Sequence, residues 1–165
     1  MNKPSFSECM VEYKKQLQNG MIKTAYKGLM EYIMDLRTQF YKNSPDLAPG
    51  NIYHGYMDMT YVPLFPEPLK RRHLKIAVVF NYDQFRFEIW LAGNNKRVQN
   101  EYWELFNNSG WEKYRVVSTT RGHDSIIEHV ISENPDFGNL ELLTKKIESA
   151  TLRFIGDIVN FLSDH

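Results

Sequence analysis

Residues 74–93, LKIAVVFNYDQFRFEIWLAG, read as two strands folded back on each other. In the second arm Phe85, Phe87, Ile89 and Leu91 alternate with Arg86, Glu88 and Trp90, the period of two that puts successive side chains on opposite faces of a sheet. The first arm, residues 74–82, is richer still in β-branched and aromatic residues, and Asp83-Gln84 supplies a tight connection. An antiparallel hairpin with one apolar and one mixed face is therefore the expected nucleus of the fold.

Moving upstream, YHGYMDMTY at 53–61 alternates in the same way, with Tyr53, Gly55, Met57, Met59 and Tyr61 in one set and His54, Tyr56, Asp58 and Thr60 in the other. Pro63, Pro66 and Pro68 separate it from the hairpin, so the two cannot form one continuous strand. A three-stranded antiparallel meander follows, with Met57/Met59, Ile76/Val78/Phe80 and Phe87/Ile89 expected to share the core face. Before it, Ser5 or Ser7 can cap a short helix with Phe6, Met10, Tyr13 and Leu17 on one stripe, which Asn19-Gly20 ends. A second helix, from about Met21 to Lys42, places Ile22, Ala25, Leu29, Ile33, Leu36 and Phe40 on one face. Asn43, Ser44, Pro45, Pro49 and Gly50 mark a loop.

Downstream of the hairpin, Asn94-Asn95 can cap a helix running to about Phe106, and YRVVS at 114–118 reads as a strand. Residues 124–132, DSIIEHVIS, carry two signals: an apolar run like a buried strand, and Ser125 with Glu128 at the spacing of a helical capping box. The strand reading is adopted. After Pro135 and Gly138 a final long helix keeps Leu140, Leu143, Ile147, Ala150, Phe154, Ile158 and Phe161 on one face. The expected order is α-α-β-β-β-α-β-β-α in one α+β domain covering 1–165: two N-terminal helices, a meander extended by one or two strands, helices packed on the sheet and a long C-terminal helix.

Composition narrows the function classes. Of 165 residues, 42% are hydrophobic and 14% aromatic, which supplies a core. Lys plus Arg and Asp plus Glu balance at 20 each, so no global field draws in nucleic acid or an acidic membrane, and nucleic acid is not an expected partner. Cys9 has no second cysteine to pair with, and the first residues carry Glu8, Glu12, Lys14 and Lys15 where a signal peptide needs an apolar run. A cytoplasmic protein with no membrane span is expected. A Gly-rich phosphate loop, His/Cys metal spacing and a nucleophile elbow are all missing from the sequence, and no cofactor is expected.

The mixed face of the meander is the candidate site. It brings together His54, Tyr56, Asp58 and Thr60, then Lys75, Ala77, Val79 and Asn81, then Arg86, Glu88 and Trp90, with small residues on the middle strand as a floor. On such a floor Trp90 and Tyr56 would stack a planar ligand. His54 would move protons near neutral pH, and Asp58 with Glu88 would act as acid and base or, together with His54, hold a cation. The same residues would equally serve as a solvated sheet face with cross-strand ion pairs. A small molecule or a protein is the expected partner. A second aromatic group, Trp103 and Trp111 with Tyr102, Phe106 and Tyr114, is either core or a surface for another protein, including a homo-oligomer.

The order α-β-β-β-α-β resembles the core of the PD-(D/E)xK nucleases, which hold a divalent metal with acidic residues and place a Lys two positions after one of them. Here the corresponding tripeptide is Glu88-Ile89-Trp90, with Trp in the Lys position, and Asp83 lies in the turn. A metal-dependent hydrolase or a degenerate nuclease-like protein is the alternative expectation. Over TAYKGLMEYIMDLR at 24–37, the whole of 53–106, and ENPDF at 133–137, the chain resembles a family of small, Bacteroides-like bacterial cytosolic proteins of unknown function. That resemblance implies a stand-alone uncharacterised protein and assigns no activity, cofactor or catalytic residue.

Overall fold

The computed structural model describes residues 2–165, which fall into two compact units, up to Asp35 and from Leu36 onward. The first unit holds helix α1 (Phe6–Asn19) and the first part of helix α2 (Met21–Asn43). Ser5 caps α1 with a complete capping box: its side chain accepts from the Glu8 amide while the Glu8 carboxylate accepts from the Ser5 amide. Gly20, at φ 83°, ends α1 in the left-handed conformation that a side chain resists. None of the residues of α1 is buried, and Phe6, Val11 and Tyr13 are exposed.

The second unit is a five-stranded antiparallel sheet with helices on it. Its strands are β1 (Met59–Leu64), β2 (Leu74–Asn81), β3 (Arg86–Gly93), β4 (Arg115–Val116) and β5 (Ser125–Ser132), in spatial order β1-β2-β3-β5-β4. A short helix α3 (Glu67–Lys70) fills the proline-rich connection, α4 (Lys96–Asn108) follows β3, and α5 (Leu140–Ser163) closes the chain. The α+β architecture expected from the sequence is the one observed, including a strand and not a helix at 125–132. Ser125 and Glu128 do bond to each other, Oγ to Oε1 at 2.6 Å, but from a strand whose register slips beside Ser125.

One face of the sheet is apolar and covered. It carries Val62 and Leu64, then Ile76, Val78 and Phe80, then Phe87, Ile89 and Leu91, all fully or almost fully buried. Helix α5 lies on this side, since Phe154 approaches the ring of His129, the partner of Ile89 across β3 and β5. Phe106 of α4 stacks on Phe161 of α5 at 4.7 Å, with Trp111 edge-on to both. Trp103 and Trp111 thus belong to the packing of α4 and α5. Their indole N–H groups donate to the Val117 and Tyr114 carbonyls.

Two expectations fail at β1. The strand does not extend from Tyr53; it starts at Met59, and Tyr53 meets it only as an isolated bridge to Tyr61. Between them the backbone turns through Gly55 at φ 73° and Met57 at φ 62°, and Asp58 Oδ1 accepts from the amides of Tyr56 and Met59, both at 2.8 Å. Parity is the second failure. Thr60 pairs with Phe80 and lies fully buried on the covered face, so Met59 and Tyr61 take the open one, and Met57 is exposed. The predicted strand at 114–118 shrinks to residues 115–116.

Candidate functional site

The open face is built by register. Lys75 pairs with Ala92, Ala77 with Trp90, Val79 with Glu88 and Asn81 with Arg86, so these side chains project from the same side of β2 and β3. On β1, Tyr61 opposite Val79 and Met59 opposite Asn81 join them. The face then divides into a locked half and a hollow half.

The locked half centres on Glu88, which is only 2% exposed. Its carboxylate accepts from Asn81 Nδ2 at 3.1 Å, Arg86 Nε at 2.9 Å and Trp90 Nε1 at 2.9 Å. Arg86 extends the network to Glu133, with Nη1 2.9 Å from Oε1. The two carboxylates beside it raise the Arg86 guanidinium above its usual range, Glu88 acting most strongly. Three donors, one of them a guanidinium, fix this carboxylate in place and compensate its charge, a setting that suits a structural role better than proton transfer.

The hollow half is a cavity of about 390 Å³. Ala77, Ala92 and Gly93 lie at its base, Tyr53, Tyr61 and Trp90 around it, and Lys75, Lys96, Asp58 and Asp124 at its charged margins. Gly93 is required by close packing: a Cβ there would lie 2.7 Å from the Gln99 amide nitrogen. Tyr53 stacks on Tyr61 with ring centroids 5.0 Å apart, and the Lys75 ammonium sits 5.6 Å above the Tyr61 ring. Loss of hydration, reinforced by the negative charge of Asp58 and Asp124, holds the Tyr53 phenol above its ordinary range. Asp58 is held below the usual carboxylate range by the two backbone amides it accepts, Tyr56 first.

The structure places the sequence-predicted residues unequally. Lys75 and Trp90 line the cavity and Asp58 sits on its margin, while Asn81, Arg86 and Glu88 share the face but form the locked network. Thr60 is on the opposite side, its hydroxyl donating to the His54 carbonyl at 2.6 Å and lying 2.9 Å from the Tyr82 hydroxyl. His54 and Tyr56 stand exposed in the turn, Tyr56 at 92%. The trio Asp58, Glu88 and His54 does not assemble. Among the described residues no group of three His, Cys, Asp or Glu side chains is placed to hold a metal ion.

Tyr53, Tyr61, Lys96 and Asp124 are cavity residues that alternation did not indicate. The signal was nonetheless present: Val62 and Leu64 are the least polar pair in β1 and demand the buried face, which forces Thr60 inward and Tyr61 outward. Lys96 arrives by the short connection from β3 into α4, and Asp124 through the pairing of β3 with β5, a contact that local periodicity does not encode.

The architecture and this divided face define an α+β protein with a partly aromatic hollow on one side of its sheet. Residues 6–162 match the family described as a domain of unknown function, DUF7000, and the chain belongs to that family. Neither a curated protein nor a solved structure shows a significant match to the chain. Among the described residues no helix is long and apolar enough to cross a membrane.

Proposed function

We propose that this protein is a non-enzymatic binding protein that takes a small organic molecule into the hollow beside Trp90. The observation that carries the reading is the cavity of about 390 Å³ between Tyr53, Tyr61 and Trp90, a volume in the range of small-molecule sites. Its small floor residues leave room for a ring, and its aromatic walls supply contact area at low entropic cost. The acid and base groups that would support hydrolysis are committed elsewhere, Glu88 to three donors and Asp58 to the turn. An exposed, free Cys9 and balanced charge fit a protein working in the cytoplasm.

Nuclear magnetic resonance with a library of small aromatic and polar molecules tests the reading. Binders should move the Trp90 indole N–H signal together with the Ala77 and Ala92 amides, and Ala92→Leu, which fills the floor, should abolish those shifts. Shifts centred on another part of the sheet, or binding untouched by Ala92→Leu, would remove the hollow as the site.

A further inference from the structure

Resting on that reading of the hollow, we infer that its ligand is a zwitterion with a flat apolar body, whose ammonium group meets Asp124 and whose acid group meets Lys75. Four charged side chains line the cavity, and two of them already have work. The Lys96 ammonium gives its three N–H bonds to Gln99 Oε1 at 2.9 Å, the Thr120 carbonyl at 2.6 Å and the His123 carbonyl at 2.8 Å. Asp58 holds the turn through the Tyr56 and Met59 amides.

Lys75 and Asp124 are different. Neither side chain makes a hydrogen bond or an ion pair among the described residues, and the Lys75 ammonium lies over the face of Tyr61. Opposite charges lining one cavity would be expected to neutralise each other if they could meet. Register sets them apart: Lys75 on β2 pairs with Ala92 on β3, and Asp124 precedes Ser125, the β5 partner of Ala92, so β3 lies between the two charges, while Lys75 rests on Tyr61, which stacks on Tyr53 at the β1 side. The cavity therefore presents a separated positive and negative pole, with the small Ala92 floor between them and aromatic surface beside them.

A molecule with a single charge satisfies one pole and is repelled by the other. One carrying both charges satisfies both with charge-assisted hydrogen bonds, while its ring lies over Ala77 and Ala92 against Trp90. The two poles act as a filter for ligands that are neutral overall but locally charged. This is also why balanced charge in the cavity, two lysines against two aspartates, argues for a zwitterion over a simple anion or cation.

Calorimetry with L-phenylalanine, 2-phenylethylamine and 3-phenylpropanoate tests this with one ring and three charge states, while the Trp90 indole resonance reports occupancy. Phenylalanine should bind at least tenfold more tightly than either single-charge analogue. Lys75→Met should reduce it to the level of the amine, and Asp124→Asn to the level of the acid. Circular dichroism should show both variants folded, because neither side chain is buried. If uncharged indole shifts the Trp90 signal while phenylalanine shows no advantage over its analogues, the zwitterion proposal is overturned and the hollow remains a binding site. If neither indole nor any of the three probes moves Trp90, both readings fall together.

Discussion

Glu88 shows at the scale of a single residue how a group that resembles a catalyst becomes a structural one. Desolvating a carboxylate is costly, and the cost is offset here by one cationic and two neutral donors fixed by the pairing of β2 and β3. Glu88→Gln would remove the charge that holds Arg86, whose guanidinium is itself only 20% exposed. We expect a loss of about 2–3 kcal/mol, below the usual cost of breaking a buried pair because Arg86 retains Glu133 and some water. Urea denaturation at neutral pH measures it; a change under 0.5 kcal/mol would mean that the network adds little.

Tyr114 and Asp157 give the residue scale a pH signature. The phenol donates to Asp157 Oδ2 at 2.5 Å and Lys113 contributes an ion pair to Oδ1 at 2.9 Å. Burial, with the Asp157 hydrogen bond second, pushes the phenol up to about 12, while the bonds from Tyr114 and Lys113 hold Asp157 below the usual carboxylate range. For the tyrosine the neutral form is the stabilised one. Its contribution is complete below about pH 10, the unfolded value, and is lost as pH rises through the folded value near 12. The aspartate works in the opposite direction, contributing above its unfolded value near 4 and losing that contribution as pH falls through its lower folded value. Tyr114→Phe should cost about 1–2 kcal/mol at pH 8 and make stability less steep between pH 10 and 12. Denaturation midpoints at pH 8, 10 and 11 would show it, and parallel curves for the two proteins would contradict it.

Among the elements, the turn before β1 decides what the open face contains. Gly55 adopts φ 73°, and a Cβ there would lie 1.9 Å from the Met59 carbonyl oxygen, so the loop that returns Tyr53 to Tyr61 depends on that glycine. Gly55→Ala should cost about 1–3 kcal/mol and unseat Tyr53 from Tyr61. The loss should appear in denaturation, with disappearance of ring-current shifts between the two tyrosines; an unchanged Tyr53 signal would show that the turn tolerates a side chain. The same element marks where sequence reading reached its limit. The β2–β3 hairpin was legible because alternation, turn and apolar content agree from residue 74 to 93. In 53–61 alternation persists through a loop whose left-handed residues and Asp58 turn interrupt the strand, so counting parity across it assigned Thr60 to the wrong face.

Over the whole molecule, stability should be unevenly distributed. The central strands β2 and β3 carry Ile76, Phe80, Ile89 and Leu91 at no exposure, whereas α1 has no buried residue and leaves Phe6 81% and Val11 69% exposed. A helix of 14 residues is near the length at which isolated helices are marginal in water, so α1 depends on its local signals, chiefly the Ser5–Glu8 capping box. Hydrogen exchange followed by mass spectrometry should therefore show α1 amides exchanging through local opening, with a free energy near zero. Amides of β2 and β3 should exchange only at the cost of global unfolding. Ser5→Ala should speed exchange throughout α1 and leave β2 and β3 unchanged, since the cap contributes about 1 kcal/mol to its own helix alone. Protection of α1 as strong as that of the strands would overturn the expectation. If that protection grew with protein concentration, the apolar stripe of Phe6, Met10 and Tyr13 would be revealed as the place where two copies meet.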